Sequence, residues 1–320
     1  MKVSVVIPTY RRPGLLVRCI QALLQQDFEK DEYEIIVVSD GPDKETSAKI
    51  AQWTGRANPC VTYMATAGKM GPAASRNLGW RNSSAHLVAF TDDDCIPERD
   101  WLRTVWNSYK GEEFIAFTGQ VIVPRPPVPT DYELNISNLE TAEFVTANCV
   151  CTKRALEITG GFDERFGMAW REDSDLHFKL LQNGISIRKI QAVVVHPVRK
   201  APWGISIKEQ KKGIYNALLY KKYPRLYRER IKPSPSWNYY GMVVCAVAMV
   251  FSYLRGYPLA GSLFMAGWLI LLVFFVRKRL LGTTRSRSHV MEMAVTSAVI
   301  PFVSIFWQWY GSLKFRVLFL

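Results

Sequence analysis

Three consecutive carboxylates, Asp92, Asp93 and Asp94, stand directly behind the apolar run "HLVAF". Like charges held this close repel one another, and a hard cation relieves the repulsion because Mg²⁺ and Mn²⁺ take oxygen ligands. Alternate residues of an extended segment point the same way, so Asp92 and Asp94 are expected to face a common ligand while Asp93 turns aside. Mg²⁺ usually holds one or two protein carboxylates and completes its shell with water and substrate phosphates. The spacing therefore fits a diphosphate bridged by Mn²⁺ or Mg²⁺, an arrangement that stabilises charge growing on a departing phosphate. Upstream, "GKMGPAASRNLGW" sets Lys69 and Arg76 around a Gly-Pro turn that opens a helix. A helix N-terminus and a guanidinium fork both suit phosphate oxygens.

The elements that must carry these residues alternate along the first two hundred positions. Runs 3–7, 34–38, 61–64 and 86–90 read as strands, with helical patterns at 14–26, 44–53 and 72–80 between them. This alternation predicts an α/β fold, a doubly wound and mostly parallel sheet with helices on its faces. Ligands on such sheets bind beyond the carboxyl ends of the strands. The polar segments "PTYRR", "SDGPD" and "TDDDC" follow strands one, two and four, so Asp40 and the aspartate run should converge on one edge. Downstream, "REDSDLHFKLLQNG" opens a helix with Asp173 or Ser174 as its expected N-cap. A strand over 185–195 then ends at His196.

The net charge of +13 first invites a nucleic-acid reading, but its distribution excludes one. Residues 1–198 hold 22 basic and 25 acidic side chains, whereas 199–320 hold 19 and 3. The excess is confined to the surroundings of apolar segments, which is the pattern of a membrane surface. Segment 199–236 is a basic juxtamembrane stretch. Uncharged runs at about 239–254 and 257–276 approach the length of a membrane span. A third run, 290–310, contains Glu292 and Pro301 and either crosses or lies in the interface. Basic flanks before the first run and after the second put the cytosolic side there. The N-terminus enters a strand at once, without the pattern of a signal peptide, so residues 1–198 are expected to be a cytoplasmic domain of a multi-pass membrane protein. The six cysteines lack metal-ligand spacing and read as reduced thiols.

Six pieces in order, "VVIPTYRR", "VVSDGPD", "GPAASRNLG", "FTDDDCIP", "GGFDERF" and "WREDSDLHFKL", resemble the family 2 glycosyltransferases of the GT-A fold. The resemblance covers roughly residues 1–200. It implies inverting transfer of a sugar from a nucleotide-diphosphate donor, with UDP expected, to an acceptor hydroxyl. Pro8, Thr9, Tyr10, Asp40, Arg76 and Asp92 would face the nucleotide sugar, joined by Arg12, Lys69 and Asp93. Asp94, Asp92 and His196 would hold the metal. Asp173 resembles the general base, with Glu172 as the alternative, and Trp170 and Gly161 would meet the acceptor. Inversion by single displacement needs a base opposite the leaving group, a task a carboxylate performs when its surroundings set its pKa.

The sequence departs from relatives at Ser39-Asp40, where paired acids are usual, and lacks the Gln-x-x-Arg-Trp signature of processive synthases. One sugar per encounter is therefore expected, with membrane attachment favouring a lipid-linked or envelope-glycan acceptor. The competing readings are a membrane-tethered nucleotide-sugar binder without turnover and a sugar nucleotidyltransferase. The P-loop and the G-x-G-x-x-G fingerprint are absent after strand one, which lowers phosphate hydrolysis and hydride transfer.

Overall fold

A computed structural model describes residues 1–55 and 58–320. The strands are β1 (Val3–Thr9), β2 (Tyr33–Ser39), β3 (Cys60–Ala65), β4 (Leu87–Phe90), β5 (Ile96–Pro97), β6 (Ile115–Ile122), β7 (Cys149–Thr152) and β8 (Ser186–Val195). The helices of the first two hundred residues are α1 (Pro13–Leu24), α2 (Lys44–Ile50), α3 (Pro72–Arg81), α4 (Trp101–Ser108), α5 (Asp131–Ile136), α6 (Lys153–Thr159) and α7 (Glu172–Gln182). Beyond them run α8 (Ile205–Glu209), α9 (Ile214–Lys222), α10 (Pro224–Arg230), α11 (Trp237–Leu254), α12 (Pro258–Leu280) and α13 (Arg287–Phe315).

The chain divides into two units, residues 1–124 with 137–198, and residues 125–136 with 199–320. The first holds one sheet in the order β3-β2-β1-β4-β7-β6-β8-β5. Its first four strands are parallel, as their apolar, β-branched runs predict, and β1 and β2 are buried along their whole length. The other half is mixed. β7 runs antiparallel to β4 and β6, and β5 antiparallel to β8. Helix α3 lies directly on β1 because Gly79 offers no side chain; a Cβ there would stand 2.4 Å from Val6 Cγ1. Pro13 and Pro72 open α1 and α3 at positions where a missing N–H costs nothing.

The second unit contains three helices long and apolar enough to cross a membrane: α11, α12 and α13, of 18, 23 and 29 residues. The last is continuous through Pro301, longer than the 290–310 run, and α12 extends to Leu280 rather than stopping near 276. Arg279, in the last turn of α12, has a side chain only 8% exposed. Its Nη2 and Nε donate to Asp131 at 2.7 and 3.3 Å, and Nη2 also reaches Ser206 at 3.1 Å. Its Nη1 donates to Thr296 and Ser297 at 2.7 and 3.1 Å. One guanidinium thus ties α5, α8, α12 and α13 together.

Candidate active site

The acidic loop continues β4, and each of its three carboxylates meets a different environment. Asp93 turns inward and is fully buried; Thr9, the last residue of β1, donates its hydroxyl to it at 2.7 Å. Arg12 spans Asp93 and Asp94 at 2.9 and 3.3 Å, countering two charges with one. Asp92 accepts from Arg76 Nη2 at 2.7 Å, and the same guanidinium donates through Nη1 to Glu172 at 3.1 Å. Arg76 comes from α3, Asp92 from the strand-four loop and Glu172 from the first turn of α7. A side chain only 3% exposed therefore joins the aspartate loop to the Glu-Asp pair.

Charge in this site is unevenly matched. Desolvation would raise the Asp92 carboxyl, but the charge and hydrogen bond of Arg76, helped by His196 and Arg12, hold it below the usual range. Burial pushes Asp93 up to about 7, against Arg12 and Thr9. Burial also raises Glu172 and Asp173, which repel one another as adjacent acids, with Arg76 opposing. Arg76 Nε is buried without a hydrogen-bond partner.

Pairing of Ile96 with Val195 brings the end of β8 against the acidic loop. His196 Nε2 thereby lies 3.6 Å from Asp94, although a hundred residues separate them in sequence. Donor atoms of Asp92, Asp94, Cys95 and His196 all fall within 4.8 Å of one another. Burial, reinforced by the aspartates, raises the Cys95 thiol well above its ordinary value, which makes it the weakest ligand of the four. Two carboxylates and an imidazole remain, a donor set that suits Mn²⁺ or Mg²⁺. His196 Nδ1 is buried without a partner, while its backbone N–H is held by Ile122 O at 2.8 Å.

Helix α7 begins at Glu172, ahead of both expected caps. Its N-cap is Arg171, in the left-handed region at φ 74°, with no side-chain cap bond. Asp173 instead lies in the first turn, where its Oδ1 accepts from the Ser174 N–H at 2.6 Å. Among the described residues of this unit, the other non-glycine at positive φ is Arg11, at 51°. Residues forced into this region concentrate at functional sites, and both flank the carboxylates. Nothing in the residue type marked them, because this conformation favours Asn and Asp among non-glycines.

The remaining candidates are placed as follows. Pro8 is buried within β1. Tyr10 lies under the ammonium of Lys69, 4.3 Å from the ring centre. Asp40 accepts from the N–H groups of Met70 and Gly71 at 2.6 and 2.8 Å, fixing the loop before α3. Gly71, at φ 99°, touches the loop before α7: a Cβ there would stand 2.7 Å from Gly167 C. Trp170 is half-buried beneath the Arg171 guanidinium, at 4.6 Å. Gly161 abuts Trp80 and Asn77, and its carbonyl accepts from Lys179 at 2.6 Å.

Comparison with known proteins adds an independent line. The description "Glycosyl transferase family 2" matches residues 4–158, and "Glycosyl transferase family group 2" matches 130–278. Glycosyltransferase AglE of Haloferax volcanii is 27% identical over 220 residues, 65% of this chain and 70% of that protein. The poly(ribitol-phosphate) beta-N-acetylglucosaminyltransferase TarS of Staphylococcus aureus is 29% identical over 103 residues. That match covers 32% of this chain but only 18% of TarS. The structure of the mannosyltransferase PcManGT from Pyrobaculum calidifontis, in complex with GDP-Man and Mn²⁺, superposes with a TM-score of 0.61. At 18% identity it covers 98% of this chain and 87% of its own, which speaks for a shared GT-A-like fold. With two overlapping family matches that together span residues 4–278, and the sheet and its acidic edge arranged as described, this chain belongs to the family 2 glycosyltransferases.

Proposed function

We propose that the protein is a membrane-anchored inverting glycosyltransferase. In this reading it moves a sugar from a nucleoside-diphosphate donor to a hydroxyl of a lipid-linked or envelope-glycan acceptor. The observation that carries the reading is the Arg76 bridge, which joins the aspartate loop on the donor side to the Glu172-Asp173 pair on the acceptor side. Asp92, Asp94 and His196 would hold a divalent cation, Mn²⁺ or Mg²⁺, which when bound neutralises the diphosphate as it leaves. Asp173 takes the acceptor proton as the hydroxyl oxygen bonds to the anomeric carbon and the bond to the diphosphate breaks. Glu172 is the weaker candidate for base, since its carboxylate is committed to Arg76. Arg76 orients Asp92, Arg12 holds Asp93 and Asp94 in register, and Trp170 offers a ring to the acceptor sugar. Tyr10, Lys69 and the loop fixed by Asp40 line the donor side. Attachment to α11, α12 and α13 confines the enzyme to the membrane surface where such acceptors reside, with residues 1–198 on the cytosolic side. The donor is UDP-linked in this reading, and the GDP-mannose held by PcManGT makes GDP the alternative.

The deciding assay incubates the full chain with a panel of UDP- and GDP-sugars with and without Mn²⁺ or Mg²⁺. Metal-dependent release of nucleoside diphosphate is expected with one donor. A chain that binds a donor yet releases nothing, with Asp173→Asn leaving its behaviour unchanged, is a nucleotide-sugar binder instead.

A further inference from the structure

The second unit contains a cavity of about 480 Å³ where the start of α11 meets the last turn of α12 and helix α5. Its walls are of two kinds. Tyr239, Phe275, Leu134 and Leu281 supply aromatic and apolar surface. Lys232 and Lys278, with Ser234, Ser236 and Asn238, supply cations and hydrogen-bonding groups. Asp131 and Arg279 also line it, but they form an ion pair at 2.7 Å. Three cations and one anion therefore face the space, an excess of two positive charges. The five hydrogen bonds of Arg279 hold this wall in one arrangement, so the cavity is formed before any ligand arrives.

The position of the cavity decides what fits it. It sits at the charged end of the α11–α12 hairpin, where Arg277, Lys278 and Arg279 close α12 and the uncharged helical stretch begins. A soluble phosphate would leave the aromatic walls unmatched, and a zwitterionic lipid would leave the charge excess unanswered. Basic pockets between membrane helices on the cytosolic side suit anionic headgroups. We infer that this cavity binds the phosphate headgroup of an anionic membrane lipid. Lys232 and Lys278 act as its counter-charges, and Tyr239, Phe275 and Leu281 lie against the first carbons of its chains. The site is separate from the sugar-transfer chemistry, for it shares no residue with the carboxylate edge.

Native mass spectrometry of the full chain in neutral detergent tests this with three probes: phosphatidic acid, phosphatidylcholine and inorganic phosphate. One phosphatidic acid molecule per chain is expected, held at least about tenfold more tightly than either other probe. Lys232→Gln with Lys278→Gln should weaken it by about fivefold per lysine, whereas Lys278→Arg should retain it. Leu281→Asp attacks the opposite wall at a position 68% exposed, where folding does not depend on it, and should also lose the lipid. Equal binding of phosphatidylcholine overturns the inference, and so does inorganic phosphate binding as tightly as the lipid. Undiminished binding by both the double lysine variant and Leu281→Asp would do the same.

Discussion

Two buried arginines divide the molecule instructively. Arg76 and Arg279 are similarly inaccessible, at 3% and 8% exposure, and each links segments distant in sequence. Arg279 is answered by one carboxylate and three hydroxyls, and no atom of it is left without a partner. Arg76 faces two carboxylates within a group of five acids, keeps an orphaned Nε, and has neighbours whose pKa values are pushed apart. Burial of a charge is thus common to a structural clasp and to a reactive site. What separates them is completeness: a clasp satisfies its own hydrogen-bonding groups, while a site keeps unmatched charge for a ligand.

The sharpest test of this contrast lies at the proposed base. Asp173→Asn should lower kcat by about 10²–10⁴-fold while donor affinity, read by calorimetry, stays unchanged. Replacement of Arg76 by Met should cost roughly 3–5 kcal/mol in thermal or denaturant unfolding, because Asp92 and Glu172 lose their buried counter-charge, and should abolish donor binding. Arg279→Met should cost less, roughly 1–3 kcal/mol, since Asp131 is 24% exposed, and should leave donor binding intact. Should Arg279→Met erase donor binding as Arg76→Met does, the two clusters are not different in kind.

The pH dependence sharpens the same point. Burial raises Glu172 from 4.5 to about 7, so between those values the native state keeps a proton that the unfolded chain has lost. Stability should therefore fall as pH rises through that window, while turnover rises as the Glu172-Asp173 pair ionises. A pH-rate profile and urea melts on the same samples should show opposite slopes; parallel slopes would contradict the assignment of the pair. The smallest effect is expected at Arg12, one-third exposed. Arg12→Gln should raise Mn²⁺ affinity by about two- to fivefold, measured by the spin resonance of free Mn²⁺, because Asp94 loses a competing cation.

Much of this was legible from residue order. The four parallel strands, their helices and the polar segments at their ends follow from contiguous patterns. The strands that complete the sheet, β5, β6 and β7, carry no such signal, because β5 has two residues and the others pair across long connections. The expected cap at Asp173 or Ser174 gave way to Arg171, whose left-handed backbone no side-chain preference announces.

Local chemistry determined the acidic loop, the apolar helices with their basic flanks, and the alternation that places loops on one edge, since each depends on neighbours within a turn or a strand. Tertiary structure decided that His196 meets Asp94, that Arg76 joins Asp92 to Glu172, and that residues 125–136 pack against Arg279. Those pairings depend on the placement of strands and helices far apart in the chain; in a strand, a register shift of one residue would turn every side chain to the opposite face.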